Sequence, residues 1–128
     1  MARTYHTDVI AFAARADAKW IDNLLSKFAI PGIVGGRQGV SRTASVDAVY
    51  RVALIHLLNR DAGIPVALAV ATTASLLSSE GDAVSLGAEF LRLELDGSAF
   101  RAAIDQRLTE ASEALAPARR GRPSRRSA

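Results

Sequence analysis

From Pro65 to Leu77 almost every position is apolar: Val66, Ala67, Leu68, Val70, Ala71, Ala74, Leu76 and Leu77. A helix wound from 65–77 has no polar face and needs cover on more than one side. The run is too short to span a bilayer, which takes about 20 apolar residues, and Thr72 and Thr73 interrupt it. Something beyond the first three helices of the chain must therefore supply the cover.

The rest of the chain reads as shorter helices separated by turn signals. Thr7 or Asp8 caps a first helix carrying Val9, Ile10, Phe12 and Ala13. Arg15-Ala16-Asp17 breaks the pattern, and Asp17 suits the N-cap of a second helix over 18–28. Trp20, Ile21, Leu24, Leu25 and Phe28 make its inner face; Lys19, Asp22, Asn23, Ser26 and Lys27 make the outer one. Two short helices joined by about three residues are the frame of a helix-turn-helix. Pro31-Gly32 closes the pair. Gly35, Gly36 and Gly39 then sit among β-branched residues, predicting a small β-hairpin, or wing, with Arg37, Gln38 and Arg42 projecting.

Ser45 opens a third helix, with Asp47 in its first turn and Val46, Val49, Tyr50, Ala53, Leu54, Leu57 and Leu58 on one face. Gly63 suits the residue just past its end. Ile64 can fold back onto it, and Pro65 suits the first turn of the apolar fourth helix. Leu91, Leu93 and Leu95 alternate with polar residues as a half-buried strand. Its ladder partner is the wing, the 84–86 segment or the same strand in a second copy. Gly97-Ser98 opens a last helix over 99–115, with Phe100, Ala103, Ile104, Leu108, Ala111 and Leu115 as its stripe. Pro117 is expected to end it before an unfolded basic tail. The fold class is mainly α: a winged helix-turn-helix with a β-hairpin wing, one further short strand and a C-terminal helix. The expected organisation is a DNA-binding domain over 1–80, a dimerisation segment over 81–117 and a disordered tail over 118–128.

Charge is distributed unevenly. Residues 1–60 hold eight basic and four acidic side chains, residues 61–118 three and nine, and residues 119–128 five arginines. Basic ends around an acidic middle suit a protein that docks a polyanion with its first half and its tail. With 49% hydrophobic residues in 128, the chain can bury a core, and with no Cys it has neither disulfides nor a thiolate chemistry. The first residues lack the basic-then-apolar run of a secretion signal, so a cytoplasmic, nucleoid-associated location is expected.

Nothing in the sequence assembles an enzyme. His6 and His56 stand apart and have no metal-ligand spacing. Glu80, Asp82, Glu89, Glu94 and Asp96 read as a solvated acidic face. The glycines of 32–39 lack the Gly-Lys-Ser/Thr ending of a phosphate loop. No metal and no cofactor are expected. Duplex DNA uses the same residues better. Lys19, Asn23, Ser26 and Lys27 lie on the free face of the second helix, where Asn can pair with adenine and Lys reaches guanine or phosphate. Arg37, Gln38 and Arg42 suit the groove flank.

Residues 17–77 resemble the DNA-binding domain of the mercury-resistance-regulator (MerR) family. Gly35-Gly36-Arg37-Gln38-Gly39-Val40-Ser41-Arg42-Thr43 resembles that family's wing. Ser45-Val46-Asp47-Ala48-Val49-Tyr50 resembles the start of its third helix, and Leu57-Leu58-Asn59-Arg60-Asp61-Ala62-Gly63-Ile64-Pro65 its helix–Gly–apolar–helix junction. Lys19-Trp20-Ile21-Asp22-Asn23 departs from the family's aromatic-rich Arg-Tyr-Tyr-Glu run. The resemblance implies a DNA-binding homodimer joined through the C-terminal helix. In the tail, Arg120-Gly121-Arg122-Pro123 resembles the core of an AT-hook, with Arg119 where Pro is usual. That resemblance implies an A·T-rich minor groove held by Arg119, Arg120, Gly121, Arg122 and Pro123. The function expected is a dimeric, DNA-binding transcriptional regulator or nucleoid-associated factor without a membrane partner. The alternative is a protein-interaction module whose basic tail only solubilises.

Overall fold

A computed structural model of the chain describes residues 3–36, 41–78, 83–86 and 91–120. Among them the chain is mainly helical. Strand β1 (Thr4–His6) leads into helices α1 (Thr7–Ala14) and α2 (Ala18–Lys27). Strands β2 (Ile33–Val34) and β3 (Thr43–Ser45) follow, then helices α3 (Val46–Asp61) and α4 (Val66–Ser78). Strands β4 (Ala83–Leu86) and β5 (Leu91–Glu94) precede the last helix, α5 (Gly97–Arg120).

The first sheet is antiparallel in the order β1-β3-β2, so the two helices α1 and α2 lie in sequence between its first edge strand and its second. Tyr5 and Ile33 both stand opposite Ala44, which is completely buried at the middle of this small sheet. The sequence reading did not foresee β1, because three residues are too few to display an alternation. The second sheet pairs β4 with β5, Val84 opposite Leu93 and Leu86 opposite Leu91. Of the three partners open to the leucine strand, the neighbouring segment is the one used. Leu93 and Leu95 turn toward the common core.

The helix ends follow from local chemistry. Ser45 accepts a hydrogen bond from the Ala48 backbone N–H through its hydroxyl, at 3.2 Å, and so caps α3. At the other end the Ala62 and Ile64 N–H groups both reach the Leu58 carbonyl. Gly63 takes a left-handed φ of 69°, and the Asn59 side chain ties down the Ile64 carbonyl at 2.9 Å. Asp96 caps α5 by accepting from the Ala99 N–H at 3.0 Å. Between α1 and α2 the bend is made by Arg15, which has φ 55° and ψ 44° although it is not glycine.

α3 is the centre of the molecule. Val49, Val52, Leu54 and Ile55 are buried on it, with His56 among them; Val46 and Leu57, expected inside, are more than a third exposed. α4 is less covered than its composition demands. Ala69, Thr72, Thr73, Leu76 and Leu77 face inward against α3 and β4, whereas Ala67, Leu68 and Ala71 face solvent.

α5 lies across the helices. Ile104 and Leu108 join the same cluster as Ile10 and Ile21. Three polar contacts clamp it further. The Tyr50 hydroxyl donates to Asp105 at 2.6 Å, Arg101 donates to the Leu77 carbonyl, and Arg107 donates to the Ala13 carbonyl at 3.0 Å. Burial and the Asp105 carboxylate push the Tyr50 phenol up to about 12. α5 also continues past Pro117 to Arg120, where the sequence pattern predicted its end. Pro117 forfeits one backbone hydrogen bond there, and the following Ala118, Arg119 and Arg120 are all strong helix formers.

Candidate nucleic-acid interface

The outward face of α2 is set by what the inward face must bury. Ile21 is fully buried, Leu24 almost so, and Trp20, Leu25 and Phe28 pack against the same cluster. At 3.6 residues per turn this leaves Lys19, Asp22, Asn23, Ser26 and Lys27 on the opposite side, and all five are exposed. The helix is held from beneath by an aromatic contact. The Trp20 ring meets the His56 ring edge-on at a centroid distance of 4.7 Å and an interplanar angle of 77°. His56 is pressed below its ordinary value of 6.5 first by burial and then by the nearby Arg60 guanidinium, while a hydrogen bond with the Ala14 backbone opposes the shift.

The outer face has two edges of different character. On one edge Arg42, just before β3, folds back onto the helix. Its guanidinium donates to the Asp22 carboxylate at 3.1 Å and to the Ser26 hydroxyl at 3.3 Å, and its side chain is only 19% exposed. The Ser26 hydroxyl in turn donates to the Asp22 carbonyl at 2.7 Å. The Arg42 arm crosses Gly36, where φ is 92° and a Cβ would come within 2.8 Å of the arginine Nε. The sequence reading had Arg42 projecting outward. A bare glycine beneath its arm and a carboxylate within reach hold it against α2 instead. On the other edge Asn23 and Lys27 flank an apolar groove of about 320 Å³ floored by Trp20, Phe28 and Val66.

Of the residues singled out in the sequence, Lys19, Asn23, Ser26, Lys27 and Arg42 are thus gathered on one surface. Arg37 and Gln38 lie outside the described residues, as do Gly121, Arg122 and Pro123. Arg119 and Arg120 form the last positions of α5. The chain matches no family model, no curated protein and no solved structure. The chemistry of the surface therefore rests on its own residues.

That chemistry is a mixed donor face. Two ammonium groups and one carboxamide are free to meet a ligand. The Asp22 charge at the centre is neutralised by Arg42, so a polyanion approaching the face meets no uncompensated acid there. Of the acids drawn together in the sequence, Glu80, Asp82 and Glu89 lie outside the described residues, and the other two have separate local partners. Asp96 caps a helix, Glu94 pairs with Arg92 at 3.3 Å, and no cluster of three or more potential metal ligands occurs among the described residues. No helix among them is long and apolar enough to cross a membrane.

The sequence reading missed the Asp22–Arg42 pair. Asp22 was visible only as one charged residue on a polar face, and nothing local marks a partner 20 positions away. It also missed a second concentration of positive charge, Arg15, Arg60 and Arg107, which three separate helical segments bring to one groove.

Proposed function

We propose that this chain binds duplex DNA, as a transcriptional regulator or nucleoid-associated factor with a winged helix-turn-helix of the mercury-resistance-regulator type. The reading is carried by the α2 face. Lys19, Asn23 and Lys27 stand exposed on a helix whose other side is locked into the core, with β3 pinned beside it through Arg42. A helix so presented fits a major groove, Asn23 pairing with adenine and the lysines with guanine or phosphate. The antiparallel pairing of β2 with β3, with Arg37 and Gln38 in the sequence between them, supports the winged arrangement. Arg119, Arg120, Gly121, Arg122 and Pro123 follow as an arginine anchor for an adjacent A·T-rich minor groove. The protein acts in this reading as a cytoplasmic homodimer on paired half-sites, without metal or cofactor.

Fluorescence anisotropy of the full chain with A·T-rich and G·C-rich duplexes, across a salt series, tests the proposal. Affinity falls steeply with salt, and Lys19→Ala and Lys27→Ala each lower the salt slope by about 1. Deleting residues 119–128 removes the A·T preference. Negligible binding to both duplexes at low salt would sink the proposal and favour the second reading, a protein-interaction module. The exposed Ala67, Leu68 and Ala71 of α4 speak for that second reading.

A further inference from the structure

The C-terminal end of α1, the second half of α3 and the first half of α5 enclose a groove of about 420 Å³. Leu57, Phe100 and Ile104 supply apolar lining, and Arg15, Arg60 and Arg107 line the same groove. This volume lies within the range of small-molecule sites. Three guanidinium groups around one concavity repel one another unless a carboxylate intervenes. Here none does at ion-pair distance. Among the described residues Arg15, Arg60 and Arg107 form no salt bridge, although Asp61 lines the same groove. Arg107 spends one nitrogen on the Ala13 carbonyl and retains other donors; the guanidinium groups of Arg15 and Arg60 have no hydrogen-bonding partner among the described residues. Burial first, and then the Arg15 charge, depress the Arg107 guanidinium, with the Glu110 carboxylate opposing; Arg15 and Arg107 also line a neighbouring groove together with Glu110.

We infer that this groove binds a small organic carboxylate with an aromatic or branched apolar body. The carboxylate lies between the guanidinium groups, where bidentate N–H···O pairing satisfies donors that have no internal acceptor. The apolar body lies on Leu57, Phe100 and Ile104. Phe100 and the exposed part of Leu57, which is 40% accessible, lose water when it binds. A free phosphate offers the charge but leaves this apolar lining wet, so it is the weaker ligand. His56 also lines the groove, and its ring touches Trp20, the single tryptophan of the chain. An anion seated beside the imidazole favours its protonated form and alters Trp20 emission.

The test uses the full chain without DNA, so its outcome is independent of the DNA proposal. Benzoate, salicylate and phenylacetate are titrated against Trp20 fluorescence, with fluorine NMR of p-fluorobenzoate as a second readout. The corresponding uncharged amides and inorganic phosphate serve as controls. At least one carboxylate is expected to saturate with a Kd on the order of 1 mM or tighter. It should bind at least about tenfold more tightly than its amide and than phosphate. Arg60→Gln, a change at an exposed position, should weaken binding about tenfold while the melting temperature stays put. Equal binding of acid and amide, no saturable binding of any carboxylate, or binding unchanged in both Arg15→Gln and Arg60→Gln would overturn the assignment. Tighter binding of phosphate than of every carboxylate would do so as well.

Discussion

Gly32 sits where three constraints meet. Its φ of 92° is a conformation other residues resist, a Cβ there would collide with the Ser45 hydroxyl, and the Ala48 methyl would lie 3.0 Å away. Its carbonyl also accepts from the Ser45 N–H at 3.0 Å. Gly32→Ala therefore strains the turn and dislodges the α3 cap together, a loss of about 2 kcal/mol, measurable as a lower urea midpoint with unchanged m-value. His56 supplies a pH test. Its folded-state pKa lies below the ordinary 6.5, so in the window just below pH 6.5 the unfolded chain binds the proton and the folded chain does not. The stability conferred by the neutral imidazole is complete above that value. It declines as pH falls through the window, until the folded imidazole is protonated as well. Unfolding of wild type and His56→Phe at about pH 5 and 7.5 should show a smaller acid loss in the variant; parallel losses would assign the acid limb to other groups. At this scale the sequence was readable where cause and effect are neighbours: Ser45 and Gly63 take the expected cap roles. In the sequence Gly32 marks only the close of a helix pair, because the hydroxyl that forbids its side chain is 13 positions further on.

Helix periodicity located α1, α2 and α3, since each buries a stripe that the 3.6-residue repeat displays. It also located α4 and α5, but not how far α4 is covered or where α5 ends, for physical reasons. α4 is made of apolar residues, many of them small, and a stripe of alanines costs little when left in water. The end of α5 was placed from Pro117 alone, yet one missing hydrogen bond does not stop a helix followed by good formers. α2 carries the most direct test at this scale. Asp22 sits at the middle of the face assigned to DNA, held neutral by Arg42. Asp22→Ala deletes a negative charge and releases the Arg42 guanidinium, so DNA affinity should rise about tenfold at low salt. The gain should shrink toward nothing as salt increases. Weaker binding in this variant would mean that the pair's role is to position the β2–β3 connection, and that its loss outweighs the charge gained.

For the molecule as a whole, the composition and the helix–turn–helix–strand order announced a mainly helical globule. The manner of its closure was hidden, because it depends on contacts between the two ends of the chain. α5 is clamped to α1, α3 and α4 by Arg107, Tyr50 and Arg101. At the N-terminal end Arg3 reaches Ser112 at 3.4 Å, and β1 occupies one side of β3. Among the described residues, that short strand is what covers one edge of β3 in a three-stranded sheet. Removing residues 1–6 leaves the main-chain donors and acceptors of Thr43 to Ser45 unpaired on that side, a template for any extended segment that passes. Size-exclusion chromatography with light scattering should then find the truncated chain in concentration-dependent oligomers, dissociated by a free peptide of the deleted sequence. Thr4 to His6 serve as a plug: they keep an otherwise adhesive edge from recruiting a strand of its neighbour.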